Sequence, residues 1–187
     1  CDRLGFLVLD ENRLMGSNRE HFYYLEKLIK RDRNHPSVVL WSLGNEEWAI
    51  EGNEKGVRIT KTMQEFAGRL DSSRSFTVAC SGGWDTGSGT VIEVIGYNYI
   101  VHGDIDEHHR KFPWQPSIGT EETNTVGTRG IYVTNAAKAH LAPTNTDPDK
   151  PGTEYGWNFY NDRDFLSGIF FWTGFDYRGE PTPFGWP

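Results

Sequence analysis

The chain has 187 residues, enough for one domain with a substantial core, and nothing in its composition reads as disordered. A formal charge of −7, with no cluster of Lys and Arg, argues against nucleic acid or an anionic membrane surface as partner and leaves neutral ligands favoured. Cys1 and Cys80 are the only cysteines, too few and too far apart for a disulfide scaffold or a cysteine metal site, so both are read as free thiols.

Taken in chain order, Gly5 to Asp10 reads as a short apolar strand after a helix stop at Gly5, closed by the acidic pair Asp10-Glu11. The capping-box pattern Ser17-Asn-Arg-Glu20 predicts the start of a helix whose buried face is Phe22, Leu25, Leu28 and Ile29. After the turn-forming Arg31 to Ser37, residues 38 to 43 predict a strand buried on both faces, and Gly44, Asn45 and Glu46 follow where it runs out. Ile59, Met63, Phe66, Ala67 and Leu70 mark a second amphipathic helix, and Ser75 to Ala79 a third strand. Ser81 to Thr90 is a Gly/Ser loop, without the Gly-Lys-Ser/Thr ending or following helix of a phosphate-binding loop, and is read as a rim loop. Apolar Val91 to Ile95, followed by the segment Gly96-Tyr-Asn-Tyr99, stands where the fourth strand falls, and Pro116 to Thr120 is the fifth. Residues 123 to 153 read as a long loop with one short helix near Asn135 to His140, bordering a substrate site. A helix around Tyr155 to Phe165 leads to a sixth strand, Gly168 to Trp172, and a Pro/Gly-rich tail.

Strands alternating with helices predict a parallel α/β architecture. Six units at about 31 residues each match the spacing of a (β/α)8 barrel, a TIM barrel of about 250 residues, which makes this one incomplete by two units. The chain begins at Cys1 without an initiator Met and is read as starting inside a longer protein. Open strand edges then predict that the segment is not autonomous, and a single cooperative thermal transition of the isolated monomer would contradict that. No apolar run approaches the roughly 18 residues of a membrane span, and neither a signal peptide nor a glycosylation sequon is found, so localisation stays open.

Two strand ends carry carboxylates. Ser42-Leu-Gly-Asn-Glu46 and Ser117-Ile-Gly-Thr-Glu121 share a Ser-x-Gly-x-Glu pattern, and simple alternation puts Ser, Gly and Glu on one side of each strand, favouring Glu46 and Glu121 over Glu47 and Glu122. A pair of carboxylates on facing strand ends is the equipment of glycoside hydrolysis. With retention, one attacks the anomeric carbon and the other protonates the leaving oxygen, the two lying roughly 5 to 5.5 Å apart. Aromatic residues, 14% of the chain, could serve as platforms for sugars, although most in any domain fill core.

At these residues the chain resembles glycoside hydrolase family 2, and within it the β-galactosidases. Cys1 to Glu11 resembles the third barrel strand of that family, Arg31 to Glu46 its acid/base segment, Gln115 to Glu121 its nucleophile segment and Gly168 to Trp172 its eighth strand. The resemblance implies strands three to eight of the barrel, with the first two units and the accessory β-sandwich domains outside the chain. It implies a retaining exo-glycosidase acting on terminal β-D-galactosyl residues, with Glu46 as acid/base and Glu121 as nucleophile. It further implies Asn45 as partner of the sugar 2-hydroxyl, Tyr99 as the tyrosine beside the nucleophile and Trp172 as a tryptophan on the floor of the sugar pocket. Repulsion between the two carboxylates divides the labour, with Glu46 carrying the proton. The alternatives are a β-glucuronidase or β-mannosidase on the same scaffold, or a non-catalytic carbohydrate-binding barrel. The tail Trp172 to Pro183 resembles a galactosidase branch, and the carboxylate-binding Asn/Lys motif of the glucuronidases is not found. The implied partner is a β-galactoside, and the whole protein is open to homo-oligomer formation. One departure concerns magnesium. Relatives carry an acidic residue and a histidine shortly after the Asp-Glu pair, whereas Asn12-Arg-Leu-Met-Gly16 offers neither, so no metal or other cofactor is expected.

The remaining polar residues have plainer readings. Glu46 alone could be a structural salt-bridging group. Glu47 and Glu122 are expected behind the site or at the surface, and Tyr99 and Trp172 have core packing as their alternative. Asp10 and Glu11 either contact substrate or orient neighbouring strands. His108-His109 is read as a solvated loop rather than a metal site, and His35 before Pro36 as a turn residue.

Overall fold

The computed structural model describes residues 1–123, 130–140, 142 and 152–174. The tail beyond 174 and much of the stretch 123 to 153 therefore lie outside the described residues. Six strands, β1 (Val8–Glu11), β2 (Val38–Asn45), β3 (Phe76–Cys80), β4 (Val94–Asn98), β5 (Ser117–Glu122) and β6 (Leu166–Phe171), form one sheet in sequential order. Every neighbouring pair is parallel. Helices α1 (Arg19–Asp32), α2 (Glu54–Gly68), α3 (Ile105–Lys111) and α4 (Thr153–Asn161) fill four of the five crossovers, and a 3-10 turn, Gly87–Thr90, stands in the one between β3 and β4, giving the incomplete TIM barrel that the alternation predicts. Within it β1 and β6 are each paired on one side only.

Local sequence explains the element ends. A 3-10 turn, Asp2–Leu4, stops at Gly5, whose left-handed backbone (φ 73°) only glycine adopts without cost. Asn18, not Ser17, caps α1: its Oδ1 accepts from the Glu20 and His21 N–H groups, both at 3.0 Å. One amide oxygen thus satisfies two of the N–H groups that the first turn leaves without a helical partner. Asn53 caps α2 the same way through Lys55 and Gly56.

The core lies between sheet and helices. Leu25 and Ile29 of α1, Met63 and Ala67 of α2, and Trp41, Leu43, Val78, Ile95 and Tyr97 of the strands are all fully buried. Phe22 and Phe66 pack at 4.6 Å between ring centres and join α1 to α2. From Val38 to Gly44, β2 is buried except at Val39, which is 43% exposed, so the expectation of two covered faces fails at that position.

Helix α3 corrects the reading of His108-His109 as a solvated loop. Asp104 caps the helix through the Glu107 N–H at 2.9 Å, and Ile105 and His108, three residues apart, turn inward. His108 is buried with its Nδ1 2.7 Å from the Tyr97 hydroxyl, and burial holds its imidazole below the usual range. His109 stacks on Phe165. A seven-residue helix dominated by charged and imidazole side chains shows no apolar stripe, which hides it from periodicity. The short helix expected near Asn135 to His140 is a 3-10 turn at Ala136–Lys138, closed by a bridge between Asn135 and His140. No described helix is long and apolar enough to cross a membrane.

Candidate active site

Three strands end at one rim, and each leaves extended geometry there. Glu46 after β2 (φ 51°), Tyr99 after β4 (φ 61°) and Thr123 after β5 (φ 47°) are three of the four non-glycine residues with positive φ among the described residues. Such backbone costs roughly 1–3 kcal/mol per residue and persists only where its surroundings hold it. The holding bonds are visible. The Glu46 N–H donates to Ala79 O at 2.9 Å, the Tyr99 N–H to Glu121 O at 2.8 Å and the Trp172 N–H to Glu122 O at 2.9 Å.

Side chains then join across the rim. Asn98, fully buried at the end of β4, donates from Nδ2 to Asn45 Oδ1 at 2.9 Å and to Glu46 Oε1 at 3.1 Å. Its Oδ1 accepts from the Thr120 hydroxyl at 2.6 Å. Asn98 is also the register partner of Glu121. The Tyr99 hydroxyl donates to Glu121 Oε1 at 2.7 Å. Burial raises the Glu121 carboxyl above the ordinary glutamate range; the Tyr99 hydrogen bond opposes this, and the nearby Glu46 carboxylate adds to it. Glu46, Asn45, Tyr99 and Glu121 thus converge, with Asn98 as the tie that sequence reasoning passed over. The available signal was an Asn flanked by two tyrosines at the carboxyl end of a strand.

The acidic pair of β1 divides. Glu11 turns to the same rim, accepting from the Ser42 hydroxyl at 3.0 Å, and burial of its carboxyl, with the charges of Glu121 and Glu46 nearby, raises it. Asp10 turns the other way, to the Asp32 carboxyl at the end of α1; burial first and Asp32 second push it up to about 6. Arg13 stands over the lip, donating to Asn45 O at 2.9 Å and lying 3.7 Å from Glu47.

The two Ser-x-Gly-x-Glu segments do not present the same face. Ser42 points at the site through Glu11, but the Ser117 hydroxyl donates to Phe165 O, and a Cβ added to Gly119 would lie 2.5 Å from the Tyr160 hydroxyl. Ser117 and Gly119 therefore face the helix layer. An irregularity pairs Tyr97 with Gly119 but Asn98 with Glu121, so Thr120 is the extra residue and the alternation slips there. That slip sends Glu121 to the rim and Glu122 to the helices. The expectation that Ser117, Gly119 and Glu121 share a side is overturned, although its choice of Glu121 over Glu122 stands in the geometry.

Glu122 is fully buried, the expected place behind the site rather than at the surface. Glu47 is half-buried, and its Oε1 accepts no hydrogen bond from the described residues. Trp172 follows β6, an edge strand of the sheet, and is 42% exposed. His35 is exposed in its turn, 2.7 Å from Asp2. In the loop after β3, Trp84 is buried and donates to Cys80 O, so this rim loop is anchored in the core. Cys1 and Cys80 are free thiols. Among the described residues no three or more His, Cys, Asp or Glu side chains gather as a metal-holding group; after Glu11, the Asn12 amide nitrogen donates to Leu14 O and Leu43 O, and the Arg13 guanidinium donates to Asn45 O beside Glu47.

A parallel barrel with paired carboxylates at its carboxyl-end rim defines the class of protein, and comparison with known proteins names the family. Residues 17–135 match the family model for glycosyl hydrolases family 2, TIM barrel domain, and the chain belongs to that family. It is 33% identical to the β-galactosidase BoGH2A of Bacteroides ovatus, in an alignment covering all of this chain and 29% of that protein. It is 32% identical to the β-glucuronidase of Mus musculus over 66% of this chain and 20% of that protein. Among solved structures, a glycosyl hydrolase family 2 member from Bacteroides cellulosilyticus superposes with a TM-score of 0.69 at 28% identity, over 97% of this chain and 22% of that one. The chain spans less than a third of the length of these relatives.

Proposed function

We propose that the protein containing this chain is a retaining exo-glycoside hydrolase that removes terminal β-D-galactosyl residues. The observation that carries the proposal is the rim itself: Glu46 and Glu121 on strand ends joined through β4, with a tyrosine hydroxyl on Glu121. Glu121 attacks the anomeric carbon and forms a glycosyl ester, while Glu46 protonates the departing oxygen and then takes a proton from the water that breaks the ester. Tyr99 orients Glu121 and steadies its charge. Asn45, whose Oδ1 is occupied by Asn98, offers its N–H donors to the sugar 2-hydroxyl. Trp172, open at the end of β6, supplies an apolar face for the ring. We also propose that the site works without magnesium, because Asn12 to Gly16 supplies neither a carboxylate nor an imidazole and Arg13 sets a positive charge at the lip, so chelation leaves turnover unchanged.

Galactoside is preferred because the relative aligned over the whole chain is a β-galactosidase. The similarity to a β-glucuronidase keeps a uronide as the second reading. With the full-length protein, a mechanism-based 2-fluoro-galactoside labels Glu121; labelling at another residue overturns the assignment. A panel of nitrophenyl β-glycosides decides the sugar, and a glucuronide or mannoside turned over faster than the galactoside overturns that choice. No turnover of any of them leaves a carbohydrate-binding barrel.

A further inference from the structure

Glu122, next to the proposed nucleophile, has no part in the chemistry above, yet it is among the most completely buried polar residues described. A carboxyl in that place is costly unless its oxygens are engaged, and they are. Oε1 accepts from the Tyr160 hydroxyl of α4 at 2.7 Å, and Oε2 accepts from the Ile100 N–H at 3.0 Å. The Thr123 N–H also leans on it. Ile100 directly follows Tyr99, the residue with left-handed backbone whose hydroxyl rests on Glu121, and Thr123 is the next strained position of the rim. One buried carboxyl thus grips the backbone beside two strained rim residues, and α4 holds that carboxyl from behind.

We infer that Glu122 and Tyr160 are positioning residues, which fix the turn at Tyr99 and Ile100 and thereby the hydroxyl that Tyr99 places on Glu121. This rests on the reading of Glu121 as nucleophile. The alternative, a brace that only holds the fold, predicts the same hydrogen bonds but no dependence on Tyr99. The titratable groups facing Glu122 are Glu121 on its own strand, Tyr160 on α4 and, behind Tyr160, Tyr97 on β4. Burial pushes Glu122 up to about 7, so near neutrality it holds a proton much of the time. A glutamine in its place mimics that neutral form, accepting from Ile100 and donating to the Tyr160 oxygen.

The test uses the full-length protein with the variants E122A, E122Q, Y160F, Y99F and the E122A/Y99F and Y160F/Y99F doubles. The readouts are kcat and KM on a nitrophenyl galactoside and the rate of fluorosugar labelling at Glu121. E122A is expected to lower kcat and labelling by several-fold, up to the roughly tenfold loss of Y99F itself, as a small misplacement of a reacting group does, with KM little changed. E122Q restores most of the loss. In the Y99F background, E122A or Y160F costs no more than about twofold, because the residue through which they act is already gone. Should E122A fail to fold, the milder Y160F/Y99F cycle measures the same coupling. Losses that multiply in either cycle, or an E122A enzyme labelled at the wild-type rate, overturn the inference while the nucleophile reading stands. A wild-type enzyme not labelled at Glu121 overturns both.

Discussion

The ends of β2 and β5 carry the same five-residue pattern and use it in opposite ways. At the β2 end Ser42 faces the site, and Glu46 reaches it as well. At β5 the pairing slips at Thr120, Ser117 and Gly119 turn to the helices, and only the slip brings Glu121 inward. The β2 end slips as well, its pairing with β3 shifting between Ser42 and Asn45, and it delivers one carboxylate, tied down by Asn98. The β5 end is a junction that delivers two, one to the rim and one to the interior, each with its own tyrosine. Equivalent sequence therefore does not mean equivalent exposure, and the two glutamates should respond differently to substrate and pH.

The largest expected difference comes from truncating each in the full-length enzyme. Glu121→Ala should lower kcat by at least about 10^4-fold whatever the leaving group, since no other group can form the ester. Glu46→Ala should cost on the order of 10^2- to 10^4-fold on poor leaving groups and much less on activated aryl galactosides. Azide should restore its turnover and give a β-linked product. A Glu46→Ala enzyme equally slow on both substrates breaks the division of roles.

Next comes the tie between the two ends. Asn98→Ala removes the donor to Asn45 and Glu46 and the acceptor of Thr120, and should lower kcat about 10- to 100-fold. Steady-state kinetics check it, and an effect confined to KM would reduce Asn98 to a sugar-binding role.

How far these features were legible follows from the physics of each. The strands and the long helices were, because β3 is buried throughout and Leu25, Ile29, Met63 and Ala67 recur at helical spacing. Glu46 and Glu121 were legible as residues, but Glu121 for a reason the slip at Thr120 contradicts. A bulge depends on pairing with β4, which local alternation cannot encode. Helix α3 was hidden by its charges, and Asn98 by looking like an ordinary polar residue between tyrosines. Glu122 was legible only as a choice between a place behind the site and the surface, because glutamate is rarely buried and the hydroxyl that makes burial tolerable comes from Tyr160, 38 residues away.

Tyr99→Phe probes the β5 end more gently. Glu121 must be ionised to attack, and the Tyr99 hydrogen bond favours the anion against burial and Glu46. Its loss therefore raises the Glu121 carboxyl further. The acid limb of kcat/KM should move to higher pH, and kcat should fall about tenfold. An unmoved acid limb would mean that the hydroxyl orients Glu121 without tuning it.

The smallest effect separates the two carboxyls of β5 by stability rather than rate. Glu122 is raised from 4.5 to about 7 in the folded chain, first by burial, so the folded state binds the extra proton between those values. Its contribution is fully present below the unfolded value near 4.5 and is lost as pH rises through about 7, with a slope of at most about 1.4 kcal/mol per pH unit. Asp10, Glu11, Glu51 and Glu121 are raised as well and push in the same direction, so wild-type stability alone cannot assign the slope. The difference between wild type and Glu122→Gln can, because the amide does not titrate while the others still do. Denaturant unfolding of the full-length protein at pH 5, 6 and 7, followed by tryptophan fluorescence, should show Glu122→Gln losing less stability over that range than wild type. Parallel losses would mean that Glu122 is ionised throughout, and that its hydrogen bonds from Tyr160 and Ile100 outweigh its burial.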